Sequence, residues 1–171
     1  MNKNTRLPVF LSYAHEDSLY LERLLAHLEV FRMQDQVCAW SDHEIKPGDH
    51  WASAIEASIG NARAAVLLIS QYFLASRFIR EAELPRLLEL ERKRGGMLIL
   101  PLIVRPCAYD LAEFPIASES AGPGVFRLSQ IQSVNPGNVP LTKLSEPEQD
   151  EVFERLARQL HAVWSSIGED H

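Results

Sequence analysis

Ala64-Ala65-Val66-Leu67-Leu68-Ile69-Ser70 is an apolar run with no polar interruption, closed by a small hydroxyl residue. A strand with one wet face alternates apolar and polar residues. This one does not, so it reads as a strand buried on both faces. Val37 to Trp40 reads as a brief strand, and two further segments share the character of the first run: Leu7 to Tyr13 and Met97 to Val104. Pro101 inside the last of these predicts a bulge or an early end, because proline has no N–H for a ladder. Val125-Phe126-Arg127-Leu128 reads as one more short strand.

Helical signals lie between the strands. Asp17 or Ser18 can cap a helix with Leu21, Leu24, Leu25 and Leu28 on one face. Ser41 to Gly48 is a polar connection whose Pro47-Gly48 pair marks a turn. Asp49 can cap a short helix carrying Trp51, Ile55 and Ile59. Ser76 is a cap for the segment opening Phe78-Ile79, but Pro85 cannot donate to the carbonyl of Glu81. The regular helix is therefore predicted to begin near Glu83 or Leu84 and to run to about Arg94, with Leu84, Leu87 and Leu88 inward and Gly95-Gly96 as its stop. Half of the ten prolines fall between Arg105 and Leu144, a loop-rich stretch. Ser145 and Glu148 then form a capping box ahead of Val152, Phe153, Leu156, Leu160, Val163 and Trp164 at helical spacing. Buried strands alternating with helices define an α/β fold, a flavodoxin-like three-layer sandwich with a central parallel sheet of about five strands and helices on both faces. The 171 residues read as a single domain, with a core over about 7–107, a looser region over 108–144 and a C-terminal helix over 145–166.

Bulk properties exclude several functions. Net charge is −6, which disfavours an unspecific grip on nucleic acid or on an anionic membrane. Two cysteines, Cys38 and Cys107, make no disulfide framework, and a reducing cytoplasm is the expected compartment. No apolar run approaches bilayer length. There is no glycine-rich phosphate loop, no nucleophile elbow and no metal-ligand spacing among the six histidines and two cysteines. A phosphate-accepting receiver would want an aspartate where Ser70 ends the third strand. Ligands of parallel sheets bind at the carboxyl ends of the strands. Those ends are Ser12-Tyr13, Trp40-Ser41-Asp42, Ser70 and the residues after Val104.

These ends carry a resemblance. Val9-Phe10-Leu11-Ser12-Tyr13-Ala14-His15-Glu16-Asp17 resembles the opening motif of TIR (Toll/interleukin-1 receptor) domains, in a bacterial style. Trp40, Asp42, Ile45, Pro47, Gly48 and Trp51 stand where that family has its BB loop. Leu67-Leu68-Ile69-Ser70, Phe73-Leu74-Ala75-Ser76, Phe78-Ile79 and Glu83-Leu84 resemble the segment bearing the catalytic glutamate of NAD-cleaving members. The resemblance covers about Leu7 to Cys107. It implies an NAD(+) hydrolase or cyclase acting on the nicotinamide–ribose bond, in bacterial immune or cell-suicide signalling. NAD is then substrate, and no separate cofactor or metal is implied. Self-assembly with other TIR domains is implied too, as is a possible sensor domain or partner protein.

In the family an aromatic residue often stands four positions before the glutamate; here Ile79 is at that distance and Phe78 is five away. The catalytic carboxylate is accordingly one of Glu81, Glu83 and Glu89. Glu83 is favoured because Leu84 follows it and because it precedes the Pro85 break. By the same resemblance Ser12, Tyr13, Asp42, Lys46, Ser70 and Phe78 bind substrate, and Ile45, Pro47, Gly48 and Trp51 form the interaction loop. A helix N-terminus beside Glu83 would favour its ionised form. The alternative is a non-catalytic TIR scaffold that recruits other TIR domains. A nucleoside deoxyribosyltransferase-like enzyme is disfavoured by the opening motif and the Pro47-Gly48 loop.

Overall fold

The structure, a computed structural model, describes residues 6–41, 50–94, 97–116 and 124–167, and of Trp51 and Arg94 the backbone alone. Strands β1 (Leu7–Ser12), β2 (Val37–Trp40), β3 (Ala64–Ile69) and β4 (Leu98–Ile103) form one parallel sheet in the order β2-β1-β3-β4. Between and after them come helices α1 (Ser18–Met33), α2 (Trp51–Asn61), α3 (Gln71–Ala75), α4 (Leu84–Arg94) and α5 (Glu146–Ile167).

The apolar run Ala64 to Ile69 is β3, paired on both sides and buried along its whole length. Its alternate side chains feed two separate cores. Ala64, Val66 and Leu68 join Leu21, Leu24 and Leu28 of α1 and Val152, Phe153, Leu156 and Leu160 of α5. Ala65, Leu67 and Ile69 join Ile55 and Ile59 of α2 and Leu84, Leu87 and Leu88 of α4. These are the three layers expected, and the period-two alternation of a strand is what separates them. At α5 the capping box forms as read: Ser145 N–H donates to Glu148 at 2.7 Å and Glu148 N–H donates back to Ser145 Oγ at 3.4 Å.

Among the described residues the central sheet has four strands, not about five. Val125 does lie on a strand, β6 (Gly124–Arg127), but that strand pairs antiparallel with β5 (Glu113–Ile116) in a small ribbon of its own. The outer edge of β4 is covered differently. Pro101 continues the strand without a bulge, in register with Leu67. Its carbonyl accepts from Val134 N–H at 2.8 Å, so the N–H that proline lacks belongs to the outward side, where no strand needs it. Two residues further along β4, at Ile103, the buried Asn135 side chain does the work of a strand. Its Oδ1 accepts from Ile103 N–H at 2.7 Å, and its Nδ2 donates to the carbonyls of Ile103 at 2.9 Å and Val139 at 2.8 Å.

Asn135→Ala removes all three bonds and leaves buried backbone groups unpaired. We expect a loss of about 2–3 kcal/mol, measurable by denaturant unfolding, with Asn135→Ser recovering little of it.

Candidate functional site

The strand order reverses at β1, which carries β2 on one side and β3 on the other. Such a switch point opens a crevice at the carboxyl ends, where ligands of this architecture bind. Ser12 ends β1 and Ser70 directly follows β3. Strand parity decides what each one meets. Leu7, Val9, Leu11 and Tyr13 face the α1 and α5 layer, and Phe10 faces the α2 and α4 layer. Ser12 shares the parity of Phe10. Its buried hydroxyl donates to Glu83 Oε2 at 2.7 Å.

Glu83 is only 5% exposed. Local chain geometry brings it inward. Ile79 to Glu83 is a π turn running into α4, in which Leu84 N–H bonds to the carbonyl of Ile79, five residues back. The missing N–H of Pro85 falls just after this wider turn, so the helix passes the proline instead of stopping at it. Ser76 holds the entrance, accepting from Ile79 N–H at 3.3 Å. In a π turn the residue five back takes the place that four back has in an α-helix. Phe78, five before Glu83, thus stands one π turn away from it, half-buried against the α2 and α4 core. Because the chain enters α4 from a helical turn, Glu83 does not sit at an open helix N-terminus, and the help expected from the dipole is reduced.

The two other carboxylates are placed differently. The Glu81 side chain is 63% exposed and pairs with Arg77 at 2.9 Å. That of Glu89 is 41% exposed and is bonded to Lys93 at 2.7 Å and Arg86 at 3.0 Å. Those two cations hold the Glu89 carboxyl below its ordinary range, Lys93 first. Of the three, only Glu83 reaches the crevice residue Ser12.

Ser70 has the opposite parity and turns toward α1. Its hydroxyl donates to Asp17 and accepts from Phe73 N–H at 3.1 Å, capping α3. Asp17 stands at the N-cap position of α1 but makes no side-chain cap bond. Its carboxylate is fully buried and instead accepts from Ser70 and from Arg105 Nε, the latter at 2.7 Å. That bond raises the pKa of the Arg105 guanidinium above its ordinary value. Neither Arg105 nor this role of Asp17 was anticipated; the only signal was that both follow strands at the ligand-binding edge. Tyr13 is buried in the α1 and α5 core, its ring edge-on to His15 at 5.9 Å. Asp42, Lys46, Ile45, Pro47, Gly48 and the Asp49 cap lie outside the described residues, and the side chain of Trp51 does too. Both cysteines are free, and burial pushes the Cys107 thiol up, away from thiolate chemistry.

A family model for the TIR domain matches residues 9–133, most of the chain. The chain belongs to the TIR domain family. Among relatives, this TIR domain is 27% identical over 150 residues to the uncharacterized protein y4lF of Sinorhizobium fredii (strain NBRC 101917 / NGR234), covering 88% of the chain and 41% of the relative. It is 27% identical over 106 residues to the NAD(+) hydrolase PdTIR of Paracoccus denitrificans (strain Pd 1222), covering 62% of the chain and 34% of the relative. The chain thus spans less than half the length of either relative. Among solved structures, the TIR domain of the Toll-related receptor TRR-2 from Hydra magnipapillata aligns with a TM-score of 0.42 at 20% identity, over 59% of this chain and 73% of that one. The TIR domains of the activated Roq1 resistosome, which directly recognizes the pathogen effector XopQ, align with a TM-score of 0.48 at 18% identity, over 95% and 97%. Among the described residues no helix is long and apolar enough to cross a membrane.

Proposed function

We propose that this TIR domain cleaves NAD at the nicotinamide–ribose bond, with Glu83 as the catalytic carboxylate. The observation that carries the reading is the buried Ser12–Glu83 hydrogen bond at the β1/β3 switch point. A carboxylate lodged there and held by Ser12 is ready to oppose positive charge at a fixed place. The distant identity to an NAD(+) hydrolase agrees with that chemistry.

The bond that breaks joins ribose C1′ to the ring nitrogen of nicotinamide. Its electron pair goes to that nitrogen, so a positively charged ring leaves as a neutral one and needs no proton. Positive charge builds on the ribose, as in glycoside hydrolysis, and Glu83 stabilises it. Water then adds at C1′ and gives up a proton, which Glu83 accepts in this reading; a ribose hydroxyl in place of water gives a cyclic product. Ser12 holds Glu83 in position. Tyr13, Ser70 and Phe78 are proposed to shape the pocket, and Asp42 and Lys46 to contribute polar contacts from the loop after β2. Ile45, Pro47, Gly48 and Trp51 are proposed to pack against the catalytic helix of a neighbouring copy, so that assembly completes the site. A role in bacterial immune or cell-suicide signalling belongs to the same proposal.

The test is nicotinamide release from NAD at rising protein concentration and on artificially clustered protein. Release that grows more than linearly with concentration is expected. No release in any clustered form would sink the enzymatic reading and leave the scaffold. Within the enzymatic reading, Ser12→Ala removes one hydrogen bond that positions the Glu83 carboxylate, and kcat should fall about tenfold with KM little changed. An unchanged kcat would show that the anchor has no part in turnover.

A further inference from the structure

At the same edge of the sheet a cation is gripped from within and open at its far end. Arg105 follows β4. Its Nε donates to the fully buried Asp17 at 2.7 Å, and the rings of Tyr20 and Tyr72 lie 5.5 and 5.6 Å from its Cζ. These contacts orient the guanidinium from its inner side and its flanks. Among the described residues its two Nη groups have no hydrogen-bond acceptor, while the side chain remains 30% exposed. A planar fork held this way suits two oxygens of one anionic group, which is how arginine recognises phosphate. The 16-residue α1 is entered from the 3-10 turn His15–Asp17, so its N-terminus is not an open one, and the positive potential here is that of the guanidinium itself. In a chain of net charge −6 such a local field is what an anionic ligand requires.

We propose that Arg105 is a phosphate-binding residue of the substrate site, taking the diphosphate of the dinucleotide with its two Nη groups while Asp17 and the two tyrosines hold it in place. This rests on the NAD reading, which it extends from the bond broken to the group that anchors the substrate. Asp17 and Ser70 then become positioning residues for a ligand-binding arginine.

The test is direct binding of ADP-ribose, inorganic pyrophosphate and nicotinamide riboside to the wild-type chain, Arg105→Gln and Arg105→Lys. Lysine keeps a charge for Asp17 without the fork, so its melting temperature should stay near wild type even where Arg105→Gln is destabilised. The expected result is that ADP-ribose and pyrophosphate bind about 10- to 100-fold more weakly to both variants. Nicotinamide riboside, which has no phosphate, should bind all three proteins alike. Either variant binding ADP-ribose as tightly as wild type would overturn the proposal, and so would a wild-type chain that binds neither phosphate probe. The two readings fail separately. Arginine-dependent ADP-ribose binding without NAD turnover keeps the phosphate site and removes the cleavage. NAD turnover by Arg105→Gln at an unchanged KM keeps the cleavage and removes the phosphate site.

Discussion

Glu83→Gln is expected to lower the rate of nicotinamide release by roughly 100- to 1,000-fold while leaving NAD binding and the melting temperature close to those of wild type. The magnitude follows from what removing one preorganised electrostatic group costs in a water-poor site. Glutamine is the informative substitution. It keeps an oxygen to accept from Ser12, so that buried hydrogen bond survives while the negative charge is lost. The loss should therefore appear in kcat and leave KM nearly unchanged. Glu81→Gln and Glu89→Gln are the matched controls. Both residues sit in ion pairs on the exposed side of the helix, and their substitution should change activity by less than about threefold. If Glu89→Gln were the inactive variant and Glu83→Gln kept its rate, the site would have to be rebuilt around α4.

The largest effect on stability is expected from Asp17→Ala. Asp17 is fully buried between Ser70 and Arg105, which come from the ends of β3 and β4 and tie both strands to the start of α1. Truncation leaves the Ser70 hydroxyl without its acceptor and the Arg105 guanidinium without its anion. An entirely buried pair broken in this way costs about 3–5 kcal/mol. Arg105 can turn to water, so the expected loss is lower, about 2–4 kcal/mol, or a fall in Tm of roughly 5–15 °C for a chain of this size. A double-mutant cycle separates charge from packing. Asp17→Ala combined with Arg105→Ala should destabilise by clearly less than the two single changes added together. Additive losses would mean that the ion pair contributes nothing as a pair.

Features carried by neighbouring residues were legible in the sequence. The uninterrupted run at β3 announced a strand buried on both faces. Ser145 and Glu148 announced the start of α5. Pro85 announced a helix that becomes regular at Leu84, where α4 does begin. What escaped depends on residues distant in sequence. The fifth strand failed because nothing local says that Asn135 can satisfy Ile103 across 32 positions. The expected bulge at Pro101 failed because a proline rule cannot see which side of β4 lacks a strand neighbour. Asp17 or Ser18 reads as a helix cap, a common use of such residues before a helix, and nothing near Asp17 says that Arg105, 88 residues on, takes its carboxylate. That Glu83, and neither Glu81 nor Glu89, turns inward to Ser12 was not legible from α-helical spacing. The π turn adds a residue to that spacing, and no residue pattern in Ile79 to Glu83 marked it.

The measurement that bears most directly on the central claim is where NAD touches the domain. Isotope-labelled Glu83→Gln protein, slow enough in turnover to keep its substrate, can be titrated with NAD while backbone amide resonances are followed. The expected result is that shifts concentrate at the switch point, on Ser12, Tyr13, Leu84 and Arg105, and saturate together. Shifts confined to distant surfaces such as the outer face of α5, with those four amides unmoved, would contradict the account.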